Sequence, residues 1–199
     1  HSLNIAKKIT QQESKIFDSE IYVPELAKDL IEEINFAARK SEFVDFKSGV
    51  SARMSITAYE NLISTAKRRM LINNEKNTSI RLSDFTGIIP SINGKIELVY
   101  EGEEQGADNI SFDLINEGVK NIFLKYFPEI SKLQKPNQTD DYDQIITWFV
   151  ENNKELFIGD EFSNKEYQIA INEIKPINKL ISKYCKNENK EDLLFIKEI

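Results

Sequence analysis

The residues best suited to binding chemistry form a short run at positions 47–55, which reads KSGVSARMS. It places Arg53 at the mouth of an amphipathic helical segment, shortly after Gly49, whose missing side chain permits an unusual backbone turn. A guanidinium there offers a planar fork of donors that suits an anionic ligand. The alternative is a structural or neutral surface arginine. Arg53 is therefore the candidate binding residue of the chain.

Nucleotide hydrolysis would require a phosphate-binding loop of the pattern Gly-x-x-x-x-Gly-Lys-Ser/Thr, in which backbone N–H groups hold the phosphates and the hydroxyl meets magnesium. The nearest candidate is Gly94 with Lys95. Its preceding glycine, Gly87, lies seven positions back instead of five, and Ile96 replaces the hydroxyl residue. We therefore expect that this chain cannot hydrolyse a nucleotide by itself.

Other catalytic or metal chemistry has little to build on. His1 is the only histidine and Cys185 the only cysteine, which excludes an internal disulfide and a thiolate metal cluster. The carboxylate pairs, such as Glu32-Glu33 and Asp140-Asp141, are adjacent in sequence and point in different directions on a helix. We predict no catalytic residue and no metal site.

The net charge of −7 argues against a general nucleic-acid-binding surface, which needs a basic face. The local cluster of Lys67, Arg68 and Arg69 is interpreted as a solvated helix face. No apolar run approaches the roughly 18 residues needed to span a bilayer, and the N-terminus has no signal pattern. We expect a cytoplasmic protein and, because the chain starts without Met, an excised segment of a longer one.

The hydrophobic periodicity is helical and indicates a mainly α fold. Pro24 opens the clearest helix, and a second helix follows, with Thr57 and Glu60 matching a capping box and Ser55 as the alternative cap. The apolar stripe of the first helix is Ala27, Leu30, Ile31, Ile34 and Ala38, and that of the second is Tyr59, Leu62, Ile63, Ala66 and Met70.

Beyond these helices the pattern is more mixed. Residues 78–82 and 95–100 could form at most two short strands, and Ser83-Asp84 could cap a short helix that stops before Pro90. Helical spacing returns from Ile110 and ends at Pro128. The polar segment 132–141 predicts a boundary between a helical region, 1–131, and a helical C-terminal tail, 132–199.

Three segments carry a resemblance to a known family. The run GVSAR at 49–53 resembles the sensor 2 segment of the magnesium-chelatase and MoxR branches of AAA+ ATPases, where a Gly-x-Ser-x-Arg pattern begins the lid helix. The runs IRLSDF at 80–85 and GKIELVYEG at 94–102 are similar to magnesium-chelatase-like proteins too. The resemblance is most specific over 43–106 and extends diffusely over roughly 5–130.

The resemblance implies that the chain is the C-terminal lid and tail of such an ATPase. A AAA+ core of the same polypeptide would precede His1 and bind ATP and magnesium, and no cofactor is expected for this segment alone. Arg53 would reach the nucleotide phosphates from the lid, with the connector 43–49 near the hinge. The implied partners are neighbouring subunits of a ring and a client protein, and the sequence does not identify that client.

Two other interpretations compete with this one. The chain could be a stand-alone helical interaction module, in which Trp148, Phe149, Tyr167 and Tyr184 form an exposed aromatic patch. Arg53 in a basic concavity would favour the lid instead. An independent enzyme is disfavoured because the chain has no internal histidine and no catalytic spacing.

Overall fold

The described part of the chain is mostly helical. A computed structural model describes residues 2–14, 18–129, 141–152, 156, 158–185 and 188–199. The predicted mainly α fold is confirmed, since strands in these ranges are only two residues long. None of the described helices is long and apolar enough to cross a membrane. The α-helices are α1 (Ser2–Glu13), α2 (Glu25–Lys40), α3 (Arg53–Ile72), α4 (Ile89–Asn93), α5 (Tyr100–Gln105), α6 (Ala107–Tyr126), α7 (Asp141–Asn152), α8 (Asn164–Glu173), α9 (Lys175–Tyr184) and α10 (Lys190–Ile196).

Helix α2 follows directly from the sequence. Pro24 stands immediately before its first residue, where a missing N–H leaves no intrahelical bond unmade. Glu25 in the first turn and Arg39 and Lys40 in the last turn oppose the partial charges at the helix ends. The predicted apolar stripe is confirmed as core, since all of its members are buried: Ala27, Leu30, Ile31, Ile34 and Ala38.

Helix α3 begins earlier than predicted. The proposed caps, Ser55 or Thr57 with Glu60, are wrong because the helix already starts at Arg53. The Thr57 hydroxyl instead donates to the Arg53 carbonyl at 2.9 Å, inside the helix. The Ser51 hydroxyl, upstream of the helix, accepts from the Arg53 N–H at 3.2 Å and so satisfies one of the free amides at this end.

The two strands, β1 (Ile21–Tyr22) and β2 (Thr78–Ser79), pair in parallel. Strand β2 lies within the predicted β-like stretch, whereas the sequence analysis did not identify β1. The pairing brings the segment before α2 beside the segment after α3, and it thereby links the first end of α2 to the last end of α3.

The other predicted strand, 95–100, does not form. Leu98 makes a single antiparallel bridge to Val44, and α5 begins at Tyr100. A strand needs a partner of similar length, and the segment around Val44 is a short turn-containing connector that offers only one bridging position.

The chain between β2 and α4 forms a 3₁₀ helix at Leu82–Ile88. The predicted cap at Ser83-Asp84 is wrong, because the helix already begins at Leu82; Asp84 lies at its third position, where its Oδ2 accepts from the Arg81 N–H at 2.8 Å. The 3₁₀ helix ends before Pro90, as predicted, but α4 follows at once. Pro90 fits in the first turn of α4, where its missing N–H costs nothing.

Helices α2 and α6 pack closely at Gly118, which lies in the middle of α6. A Cβ built on Gly118 would lie 2.8 Å from Ile34 Cγ1 and 3.0 Å from Leu30 Cδ1. Both contacted side chains are almost completely buried in α2. The small residue therefore sets the distance between the two helices.

The tail helices share the main hydrophobic cluster with the first region of the chain. The tail residues buried in this cluster are Tyr142, Leu180, Ile181, Cys185, Phe195 and Ile196. At the start of α2, the Leu26 N–H reaches the Asp192 carboxylate at 3.5 Å. The predicted boundary segment 132–141 lies outside the described residues except for Asp141, and the division into 1–131 and 132–199 stays a prediction.

Gly118→Ala tests the close approach of α2 and α6. The added methyl group raises intrinsic helix propensity by about 1 kcal/mol, but overpacking a core costs about 1–3 kcal/mol. We expect a net loss in unfolding free energy of about 1 kcal/mol, measured by urea denaturation. Lys120→Ala, at an exposed site of the same helix, is the control. A Gly118→Ala protein more stable than the control would show that the helices have room to separate.

Candidate functional site

Arg53 is the first residue of α3, and its side chain is exposed. Gly49, at the turn before the helix, has a φ of 67°, in the left-handed region that favours glycine. Across the described part of the chain, no ion pair involves Arg53. Its guanidinium is therefore free to meet a group from outside the chain.

The connector before this turn is attached to the segment that leads into α5. The Asp45 N–H donates to the Glu97 carbonyl at 2.8 Å, and the Val99 N–H donates to the Phe43 carbonyl at 3.0 Å. The Asp45 carboxylate also accepts from the Lys47 N–H at 2.9 Å. This hydrogen bond, with help from a neighbouring hydroxyl, lowers the pKa of Asp45. The turn that positions Arg53 therefore rests on a second part of the fold.

None of the cavities found among the described residues is a basic concavity lined by Arg53. A cavity of about 320 Å³ lies between α1, α2 and the start of α3 and is lined by Ala52 and Ser55 but not by Arg53. Its charged lining residues are one acid, Glu32, and one base, Arg39. Arg53 thus stands beside this cavity on an open surface.

The four tail aromatics do not form one exposed patch. Tyr167 is buried, and the Tyr184 ring lies 6.0 Å from Phe127, edge-on. Trp148 and Phe149 contact each other with ring centroids 5.0 Å apart, and both are partly exposed on α7. Trp148 and Phe149 are therefore the two members of the group that contact each other on one helix.

A buried ion pair lies at the far end of α3. Arg69 and Asp84 both have fully buried side chains, and Arg69 Nε and Nη2 donate to the two Asp84 oxygens at 3.0 and 2.9 Å. Arg69 also donates to the Thr78 hydroxyl at 2.9 Å and the Ser79 carbonyl at 2.8 Å. The guanidinium thereby joins α3, β2 and the 3₁₀ helix.

This burial corrects the sequence analysis at one position. Lys67 and Arg68 are exposed, as a solvated face requires, but Arg69 is not. Arg69 follows Leu62 and Ala66 at helical spacing, so it lies on the buried stripe of α3. That spacing was the available signal, and the two neighbouring basic residues obscured it.

A second buried arginine, Arg81, extends the network to the tail. It donates to the Phe162 carbonyl at 2.9 Å and to Asn164 Oδ1 at 3.0 Å. Its guanidinium lies 4.2 Å from the centre of the Tyr167 ring, a cation–π contact. Burial, and then the positive charge of Arg69, lower the pKa of Arg81.

Glu198 completes the network near the C-terminal end of the chain. Its carboxylate accepts from the Tyr167 hydroxyl and, at 2.9 Å, from the Leu82 N–H. Burial raises the pKa of Glu198 to about 7, although both hydrogen bonds act in the opposite direction. The tail is therefore attached through a carboxyl group that titrates near neutral pH.

Comparisons with known proteins add no family assignment. No family model matches the chain, and neither curated proteins nor solved structures yield a significant match. Within the ranges that the structure describes, no group of three or more potential ligands could hold a metal ion. Arg53 and its surroundings are thus the basis for a functional proposal.

Arg69→Met tests how much the buried ion pair contributes to the stability of the fold. The substitution leaves the Asp84 carboxylate buried without its cation, which costs about 3–5 kcal/mol. The control is Arg68→Met on the same helix, which removes an exposed pair with Asp160 and should cost at most about 1 kcal/mol. Unfolding free energies from denaturant titration decide the matter, and equal losses in the two variants would contradict the assigned role of Arg69.

Glu198→Gln tests the titrating carboxyl group. Because the folded-state pKa, about 7, exceeds the ordinary value of 4.5, this group stabilises the fold fully below pH 4.5. Its contribution is lost as the pH rises towards 7, by about 3 kcal/mol at most. Urea unfolding from pH 4.5 to 7.5 should show this decline in the wild type and not in Glu198→Gln. The exposed Glu101→Gln serves as control, and parallel wild-type and Glu198→Gln profiles would refute the assignment.

Proposed function

We propose that this chain is the C-terminal lid and tail of a magnesium-chelatase-like AAA+ ATPase and that Arg53 contacts the nucleotide phosphates. One structural observation supports the proposal above the others. Arg53 stands exposed at the first position of a long helix and has no ion-pair partner in the described ranges. An arginine kept in this state suits an anion supplied by another part of the protein.

The helix that carries Arg53 adds to this suitability. Helix α3 is 20 residues long, and its N-terminus bears a partial positive charge from the aligned peptide dipoles. The guanidinium and the helix end therefore attract the same kind of ligand. A γ-phosphate is such a ligand, and stabilising its charge during transfer is the role that an arginine finger performs.

ATP and magnesium would be held by a AAA+ core of the same polypeptide. The chain described here has no phosphate-binding loop, so it would contribute Arg53 without hydrolysing ATP alone. Nucleotide state would then move the helical unit about the connector 43–49. Neighbouring ring subunits and a client protein would be the partners in the cytoplasm.

A stand-alone interaction module is the second candidate, and α7 supplies the observation for it. Ile146 and Val150 are exposed by 61% and 73% on the same side of this helix, and the partly exposed Phe149 lies next to them. Such a group of large apolar side chains is a recognised mark of protein contact. This role needs no nucleotide, and a substitution of Arg53 would then not change the function of the chain.

The reading frame upstream of His1 separates the two candidates. A phosphate-binding loop followed by an acidic magnesium motif would support the ATPase. Its absence from the polypeptide would exclude the lid and leave the interaction module.

In the full-length protein, Arg53→Ala should lower the turnover of ATP on the order of 10³-fold, because charge stabilisation at the γ-phosphate is lost. Steady-state phosphate release measures the effect. Arg68→Ala, an exposed arginine on the same helix, is the matched control and should hydrolyse ATP at the wild-type rate. Thermal unfolding must show that Arg53→Ala is folded. Wild-type turnover in a folded Arg53→Ala protein would end the proposal.

A further inference from the structure

The cavity between α1, α2 and the start of α3 combines apolar walls with a polar floor. Its volume, about 320 Å³, falls at the small end of the range for ligand sites. The walls are apolar side chains: Ile5, Ala6, Ile9, Phe36 and Ala52. Ile5 and Ile9 are each 48% exposed, so this wall of the cavity is open to solvent.

The polar floor is a chain of hydrogen bonds centred on a buried carboxylate. Glu32 accepts from the Thr10 hydroxyl at 2.7 Å and from the Ser55 hydroxyl at 3.0 Å. Asn35 Nδ2 donates to the Ser55 hydroxyl at 2.8 Å. Glu32 and Asn35 are only 3% and 2% exposed, yet both line the cavity.

One feature of the floor calls for a donor that the described chain does not supply. The Glu32 carboxylate is buried and has room for further donors beyond its two hydroxyl partners. A carboxylate is an acceptor, so a matching ligand must bring N–H or O–H donors.

The nearby cations are engaged elsewhere. Lys7 pairs with Asp29 at 2.6 Å, and Lys28 pairs with Glu25 at 2.6 Å. Arg39, at the rim of the cavity, lies 5.9 Å from the centre of the Phe36 ring. Among the residues that the structure describes, Glu32 therefore has no ion-pair partner, and a buried charge of this kind is normally paired.

We propose that this cavity binds a primary alkylammonium ion. The ammonium group, with three N–H donors, would bond the Glu32 carboxylate, and the alkyl stem would pack against Ile5, Ile9 and Phe36. The positive charge balances Glu32, and the stem covers the exposed isoleucines of α1. This site is independent of the nucleotide role proposed for Arg53.

The first experiment compares 1-pentylamine with its neutral analogue 1-pentanol, each titrated into the protein at pH 7 and followed by amide NMR shifts. We expect saturable pentylamine binding with a Kd on the order of 1 mM. Pentanol should bind about tenfold or more weakly, because it cannot form a charge-assisted hydrogen bond with Glu32. Equal binding of both, or no saturable binding of pentylamine, would overturn the proposal.

Two variants locate the site. Glu32→Gln keeps the shape of the side chain and should weaken pentylamine binding about tenfold, whereas Glu33→Gln, next to it on α2, should not change it. Ile9→Trp fills the cavity from its open side without removing Glu32, and it should abolish binding in a protein that remains folded. Wild-type affinity in either Glu32→Gln or Ile9→Trp would place the amine elsewhere and refute the site.

One further probe, Nα-acetyl-lysine methylamide, distinguishes a lysine side chain from a free amine as the source of the ammonium group. It carries the same ammonium group on a peptide backbone. Binding as tight as that of pentylamine would assign the cavity to a lysine side chain of a protein. Exclusion of this probe, with pentylamine still bound, would assign it to a free amine. Both results uphold the alkylammonium site.

Discussion

The ion pair between Arg69 and Asp84 is the interaction on which the arrangement of the helices depends. Two charges without solvent contact are tolerable only when they are well hydrogen-bonded, and the Arg69 guanidinium makes four hydrogen bonds by also contacting Thr78 and Ser79 of β2. Arg81 continues the same network to Asn164 in the tail. The polar groups thereby require that α3, β2, the 3₁₀ helix and the tail lie in one relative position, which apolar packing alone would specify less strictly.

Much of the fold could be predicted because the spacing of the apolar residues indicates the helices. The stripe of α2 and its proline start are visible in the sequence, and both are confirmed. The start of α3 was less accessible, because Ser51, Ser55 and Thr57 are all able to cap a helix and local sequence does not choose among them. The choice depends on the left-handed turn at Gly49 and its attachment to a segment distant in the chain.

Long-range pairings account for the other differences. Strand β1 is two residues long and pairs with a strand from beyond α3, so its own sequence contains little strand signal. Glu198 acquires its raised pKa because folding buries its carboxyl group, although the hydrogen bonds from Tyr167 and Leu82 act in the opposite direction. For the candidate site, the sequence placed Arg53 at the mouth of a helix, and the helix begins at that residue. The polar floor around Glu32 was not predictable, since its members come from three separate helices.

Helix α3 carries Arg53 at one end and the buried Arg69 near the other. The two residues are separated by about 24 Å along a straight helix, at 1.5 Å per residue. The Arg69 end is held by its buried ion pair, and the Arg53 end is held by the hydrogen bond from the Ser55 hydroxyl to Glu32 of α2, although the Arg53 side chain itself is exposed. A tilt of about 5° about the Arg69 end would carry the Arg53 backbone through about 2 Å, enough to break a hydrogen bond whose length varies by only a few tenths of an ångström. A motion of Arg53 therefore has to displace α2 or break its contact with α3.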